Sequence, residues 1–115
     1  NTLVNDAAIE NVIAHIQTFP DNPAPATIDG DAASGAKDDV VCAYCHGADG
    51  KGIFAMKAPR VAGMTDWYLA RQHQNVRDGI RGQHPQDFYG KQMGLMTSRL
   101  SDQQINDLLA YINTL

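Results

Sequence analysis

Cys42-Ala43-Tyr44-Cys45-His46 constrains this chain more than any other stretch. Two thiols three residues apart, followed at once by an imidazole, match the attachment pattern of a c-type haem. The spacing has a chemical reason. Thiols so placed on a tight turn reach the two vinyl groups of one porphyrin and form thioethers. The imidazole then lies under the iron as its proximal ligand, and a shift of one residue would turn its ring away from the metal. Two other chemistries use C-x-x-C. A redox dithiol wants a βαβ setting, which is not visible here. A zinc site wants a second ligand pair, yet His15, His73 and His84 stand alone and no further cysteine exists.

At 115 residues the chain makes one domain, with room for an appendage. A domain of that size has a small core. A covalently held porphyrin would add apolar surface to it. A formal charge of −4 argues against a nucleic-acid partner. No apolar run approaches the ~18–20 residues of a membrane span. No signal peptide is recognisable, and the chain reads as processed or cut at its start.

An internal repeat sets the organisation. Residues 4–19 align without gaps on residues 100–115. Asp6 with Asp102, Ile9 with Ile105, Ala14 with Ala110, Ile16 with Ile112 and Thr18 with Thr114 coincide. Both segments carry an apolar stripe of helical period: Ile9, Val12, Ile13, Ile16 and Ile105, Leu108, Leu109, Ile112. Ser101 with Gln104 reads as a capping box and Asn5 as an N-cap. Two unrelated amphipathic helices are the plain alternative. The repeat points instead to residues 1–19 as the last helix of a preceding, homologous domain.

Residues 20–28 hold three prolines, Pro20, Pro23 and Pro25, and read as a stiff, extended linker. The third unit is residues 29–115. A weak helix is expected from Ala32 to about Val41, with Gly35 marking a close helix crossing. The glycine-rich stretch after His46 is no phosphate cradle, since no strand precedes it and no G-K-S/T follows. Thr65 should cap a helix from Asp66 to Asp78 that Gly79 stops, with Leu69, His73, Val76 and Ile80 facing inward. An irregular loop is expected over residues 81–99, then a final helix from Ser101 to Thr114. No alternating strand pattern of useful length appears, so the chain reads as all-α with long loops.

Residues 29–115 resemble a class I cytochrome c domain of the cytochrome c4 and c-553 type. The resemblance rests on C-A-Y-C-H-G, A-P-R-V-A-G, W-Y-L-A-R-Q, Q-M-G-L-M and the L-S-D-Q-Q-I-N-D-L-L-A-Y-I ending. The segment from Gly79 to Met93 is also similar to haem c domains of respiratory oxidases. Such domains often stand in tandem. The resemblance implies one haem c, covalent through Cys42 and Cys45, with His46 as proximal ligand and a methionine as distal ligand. In the family that methionine commonly stands seven residues before the Leu of the L-S-D start, which is Met93. Met96 stands four before it, where the family places a packing residue. Met56 and Met64 fall too early and read as packing. His84 and His73 are the histidine alternatives, with His73 read as a buried, hydrogen-bonded residue where the family shows Leu. The resemblance also makes the carbonyl of Pro59 the acceptor for the other ring nitrogen of His46. Arg60, Arg71, Arg77 and Arg81 are candidates to pair with haem propionates. Trp67, Tyr68 and Tyr111 read as packing.

An iron with both axial positions filled by side chains has no open site for substrate. The expectation is one-electron transfer, with the Met ligand raising the potential. The expected partners are a redox donor and acceptor met transiently, with a terminal oxidase or a tandem haem domain as candidates. The expected place is the periplasm, or the periplasmic face of the cytoplasmic membrane. A haem enzyme or gas sensor with a labile distal ligand is the alternative.

Overall fold

The structure, a computed structural model, describes residues 5–115. Val4, the first residue of the repeat, lies outside them. Five α-helices and one 3₁₀ turn carry the fold: α1 (Asp6–Ile16), α2 (Ala32–His46), the turn Phe54–Met56, α3 (Asp66–Arg77), α4 (Phe88–Thr97) and α5 (Asp102–Ile112). Among the described residues there is no strand, only an isolated bridge between Ile53 and Ala58.

The core is the meeting of α2, α3 and α5. The α5 stripe Ile105, Leu108, Leu109 and Ile112 is buried together with Leu69 of α3. Ile28, Cys42, Val61, Met64, Ala70 and Leu100 close around that cluster. Helix α2 crosses α5 at Gly35, whose Cα lies against the Asp107 backbone so closely that a methyl group there would overlap the carbonyl. The weak helix propensity of glycine is outweighed here by the close approach it permits. The Asp107 carboxylate also accepts the Asp31 N–H at 2.8 Å and so holds the start of α2. Ser101 and Gln104 form the capping box expected of α5.

Three elements differ from the sequence expectation. Helix α2 runs past Val41 to His46, because Gly47 can adopt φ +81° and close the helix there, its N–H bonded to the Ala43 carbonyl. The thiols therefore sit on the last turn of a helix, not on a separate tight turn. Residues 88–97, expected as loop, form α4. Asp87 caps it by accepting the Gly90 N–H at 2.8 Å, and Thr97 Oγ1 bonds the Met93 and Gly94 carbonyls. Gly90 and Gly94 read as helix breakers, but Gly90 packs against Gly82 and Gly94 against Val76 of α3. Tertiary packing overrides their propensity. Finally, Ile80 does not continue the inner stripe of α3. It is 74% exposed, while Leu69, His73 and Val76 are buried. Thr65 precedes α3 without a side-chain cap, and the Asp66 carboxylate takes the Trp67 N–H instead. Trp67, expected to pack, is 61% exposed.

Helix α1 has no buried residue, and residues 20–28 that follow have no regular structure. This segment is tied to the body at its end. The buried Asp66 carboxylate accepts the N–H groups of Thr27 (2.6 Å) and Ile28 (2.9 Å) and the Thr27 hydroxyl. Asp21 pairs with Arg60 at 3.5 Å.

Candidate haem site

Cys42, Cys45 and His46 occupy the last turn of α2. Positions i and i+3 of a helix lie on one side, one turn apart, so both thiols face the same way. Both are free and partly buried. Cys42 packs against the hydrophobic core. Its thiol is pushed up to about 11, chiefly by burial and then by the negative charges of Asp39 and Asp38. Asp39 is itself raised by burial. A redox dithiol needs an acidified, exposed thiol, and Cys42 is the opposite.

The loop after the motif orients His46. Gly50 offers its carbonyl to the N–H groups of Val61 (2.8 Å) and Ala62 (2.9 Å), and the Gly52 N–H bonds the His46 carbonyl at 2.7 Å. These bonds fold the chain back until the Pro59 carbonyl stands 2.8 Å from His46 Nδ1. A carbonyl can only accept, so the proton is on Nδ1 and Nε2 carries a lone pair. That is the protonation state of a metal-ligating imidazole held by an outer-shell acceptor. Gly52 is the residue that sequence reasoning passed over. Its φ is +84°, and a side chain there would strike the Ala58 carbonyl and the Pro59 backbone. The only trace in the sequence was the density of glycine directly after the motif.

Met93 and Met96 both lie on α4, which packs on α3. Met93 is half-buried and Met96 exposed. His73 is buried, with Nδ1 2.9 Å from the Leu69 carbonyl. Burial pushes its basicity down, the bond to Leu69 opposes this, and the positive charge of Arg77 lowers it further. His84 is exposed, and its Nδ1 accepts the Gln86 N–H at 3.2 Å. Met64 packs on the core as expected. Three of the four candidate arginines are engaged within the chain: Arg77 with Asp102 (2.8 Å), Arg60 with the Ala62 carbonyl (2.7 Å), and Arg81 with Gln72 (2.9 Å).

The residues present fit a haem. Two free thiols stand one helical turn apart beside a lone-pair nitrogen. Among the described residues no three His, Cys, Asp or Glu side chains gather as a zinc site would require. Val41 of α2, Phe54 of the 3₁₀ turn, Tyr68 of α3 and Leu95 of α4 leave apolar surface exposed, which a porphyrin can cover.

Comparison with known proteins agrees. The sequence profile of the cytochrome c family matches residues 31–115. The chain is 40% identical to cytochrome c4 of Pseudomonas aeruginosa over 82 residues, which is 71% of this chain and 37% of that protein. It is 37% identical to cytochrome c4 of Azotobacter vinelandii over 87 residues, 74% of this chain and 41% of that protein. It is 36% identical to cytochrome c-554(548) of Halomonas halodenitrificans over 88 residues, 74% of this chain and 96% of that protein. The chain thus spans about two fifths of the cytochrome c4 relatives and nearly all of the c-554(548). The helical fold, the attachment turn and these matches together show that the chain belongs to the cytochrome c family, as an electron-transfer domain carrying a covalently bound haem c.

Proposed function

We propose that this domain is a one-electron carrier whose haem iron is held by His46 on one side and Met93 on the other. The bond between His46 Nδ1 and the Pro59 carbonyl carries the reading, because it leaves Nε2 free for the metal and fixes the ring. Met93 is assigned by its seven-residue distance from Leu100 and by its half-buried place on α4. The bound haem supplies the redox couple. The chain would anchor it through Cys42 and Cys45 and orient the His46 imidazole through Pro59, and His46 and Met93 are the side chains that would hold the iron. With no open axial site the domain passes electrons and performs no catalysis.

Its partners are a redox donor and acceptor met transiently, among which a terminal oxidase or a tandem haem domain suits the acceptor role. Relatives named thiosulfate dehydrogenase electron acceptor, in Stutzerimonas stutzeri and Thiomonas intermedia, align over shorter stretches and support a dehydrogenase as one class of donor. The periplasmic side of the cytoplasmic membrane is the proposed place. Among the described residues no helix is long and apolar enough to cross a membrane.

A spectrum of the reduced protein with and without carbon monoxide tests the assignment. An unchanged spectrum is expected. A carbon monoxide adduct formed under mild conditions would instead favour a haem enzyme or gas sensor with a labile distal ligand.

Residues 1–19 belong, in the same proposal, to a preceding homologous haem domain, with residues 20–28 as linker and 29–115 as the cytochrome c domain. The repeat supports this down to single hydrogen bonds. Ala8 N–H bonds Asn5 Oδ1 as Gln104 N–H bonds Ser101 Oγ, and the Thr18 hydroxyl bonds the His15 carbonyl at 2.7 Å as that of Thr114 bonds Tyr111 at 2.7 Å. Yet the α1 stripe is exposed where the α5 stripe is buried.

A further inference from the structure

We propose that His73 is a standby ligand for the haem iron, taking the distal position when the methionine sulfur leaves it. The inference rests on the haem reading above and concerns a residue to which that reading gives no role.

Two of the four histidines share one arrangement. His46 places Nδ1 2.8 Å from the Pro59 carbonyl, and His73 places Nδ1 2.9 Å from the Leu69 carbonyl. In both the proton must sit on Nδ1, because a carbonyl only accepts. In both, Nε2 is left as a bare lone pair, which is what iron binds. The other two histidines differ. His84 uses Nδ1 as acceptor for the Gln86 N–H, which leaves its proton on Nε2. His15 lies on the exposed α1, edge-on to Phe19.

His73 is only 7% exposed. Its Nε2 has no hydrogen-bond partner among the described residues, and since no sealed side-chain nitrogen or oxygen among them lacks one, Nε2 meets open space rather than packed protein atoms. The domain therefore keeps a largely buried imidazole whose Nε2 faces open space with no protein partner. Gly94, the residue after Met93, packs against Val76, one helical turn from His73, so α3 carries His73 beside the part of α4 that holds the distal methionine.

The mounting of the two distal candidates differs as well. His73 stands between Leu69 and Val76 on α3, the helix that packs on both α4 and α5. Met93 is carried by α4, whose main packing is on α3 alone and which begins and ends in irregular chain. Movement of α4 would withdraw the sulfur while leaving His73 in place.

The test uses the haem-loaded full chain and reads coordination rather than activity. Met93→Ala is expected to lose the near-infrared sulfur–iron band but remain low-spin, with the magnetic signature of two imidazoles and a lowered potential. Met93→Ala with His73→Leu is expected to become high-spin and to bind carbon monoxide. A high-spin Met93→Ala protein would overturn the inference. Survival of the sulfur band in Met93→Ala would instead overturn the assignment of Met93, and the same pair is then made on Met96. Should the alanine variant not hold haem, the unsubstituted ferric protein is warmed below its melting point. Loss of the sulfur band with low spin retained, abolished by His73→Leu, supports the standby ligand. Conversion to high spin in both proteins refutes it.

Discussion

Gly52 lies directly against Pro59: a Cβ added to Gly52 would stand 2.8 Å from the Pro59 carbonyl carbon. The same carbonyl holds His46 Nδ1. Gly52 is thus the spacer that lets the loop approach the proximal histidine. Gly52→Ala should cost roughly 1–3 kcal/mol in stability, from the positive φ and the overlap together. It should also raise the reduction potential, since a displaced Pro59 carbonyl leaves His46 a weaker donor to ferric iron. Thermal melting and a redox titration of the variant read the two effects separately. An unaltered potential would show that the loop shifts as a unit and keeps the bond.

The two methionines of α4 separate by substitution. Met93→Ala should abolish the near-infrared sulfur–iron band, whereas Met96→Ala should keep it and lose little stability, because Met96 is exposed. The reverse pattern would move the distal role to Met96.

The Asp66 carboxylate should contribute to stability in a pH-dependent way. Burial alone would raise its pKa, but the bonds from Thr27, Ile28 and Trp67 outweigh burial and lower it from 3.8 to about 2. A group whose folded pKa is depressed stabilises the fold above its unfolded pKa and ceases to do so as pH falls through the folded value. Asp66→Asn should therefore cost on the order of 2 kcal/mol near neutral pH. That difference should shrink between about pH 4 and pH 2. Denaturant melts of both proteins across this range measure it. A gap that stays constant with pH would assign the cost to lost geometry rather than lost charge.

Ile13 and Leu109 occupy the same place in the repeat, yet Ile13 is 49% exposed and Leu109 fully buried. Leu109→Ala should cost about 2–5 kcal/mol. Ile13→Ala should change the melting temperature of the haem domain little, and deleting residues 1–20 should leave spectrum and potential unchanged. Loss of haem on that deletion would place α1 in the core of this domain and end the reading of residues 1–19 as part of a preceding one.

Much of this protein was legible in the sequence because the deciding interactions are local. The attachment motif, the Ser101–Gln104 capping box and the stripe of α5 depend on residues a few positions apart, and helical period exposes them. Gly35 was legible too, since a glycine inside a helix next to an apolar partner stripe has few other uses. What the sequence did not disclose depended on contacts distant in the chain. Helix α4 forms because Gly90 and Gly94 fit against Gly82 and Val76, and no local propensity contains that information. Ile80 left the inner stripe because the chain turns at Gly79, where φ is +73°. Asp66 reaches back across the chain to Thr27 and Ile28, which ties to the body a linker that composition describes only as stiff and extended. Sequence by itself determined the cofactor, through covalent chemistry written in five consecutive residues. Only the tertiary structure decided which imidazoles carry a free nitrogen, because that depends on where a distant or helical carbonyl stands.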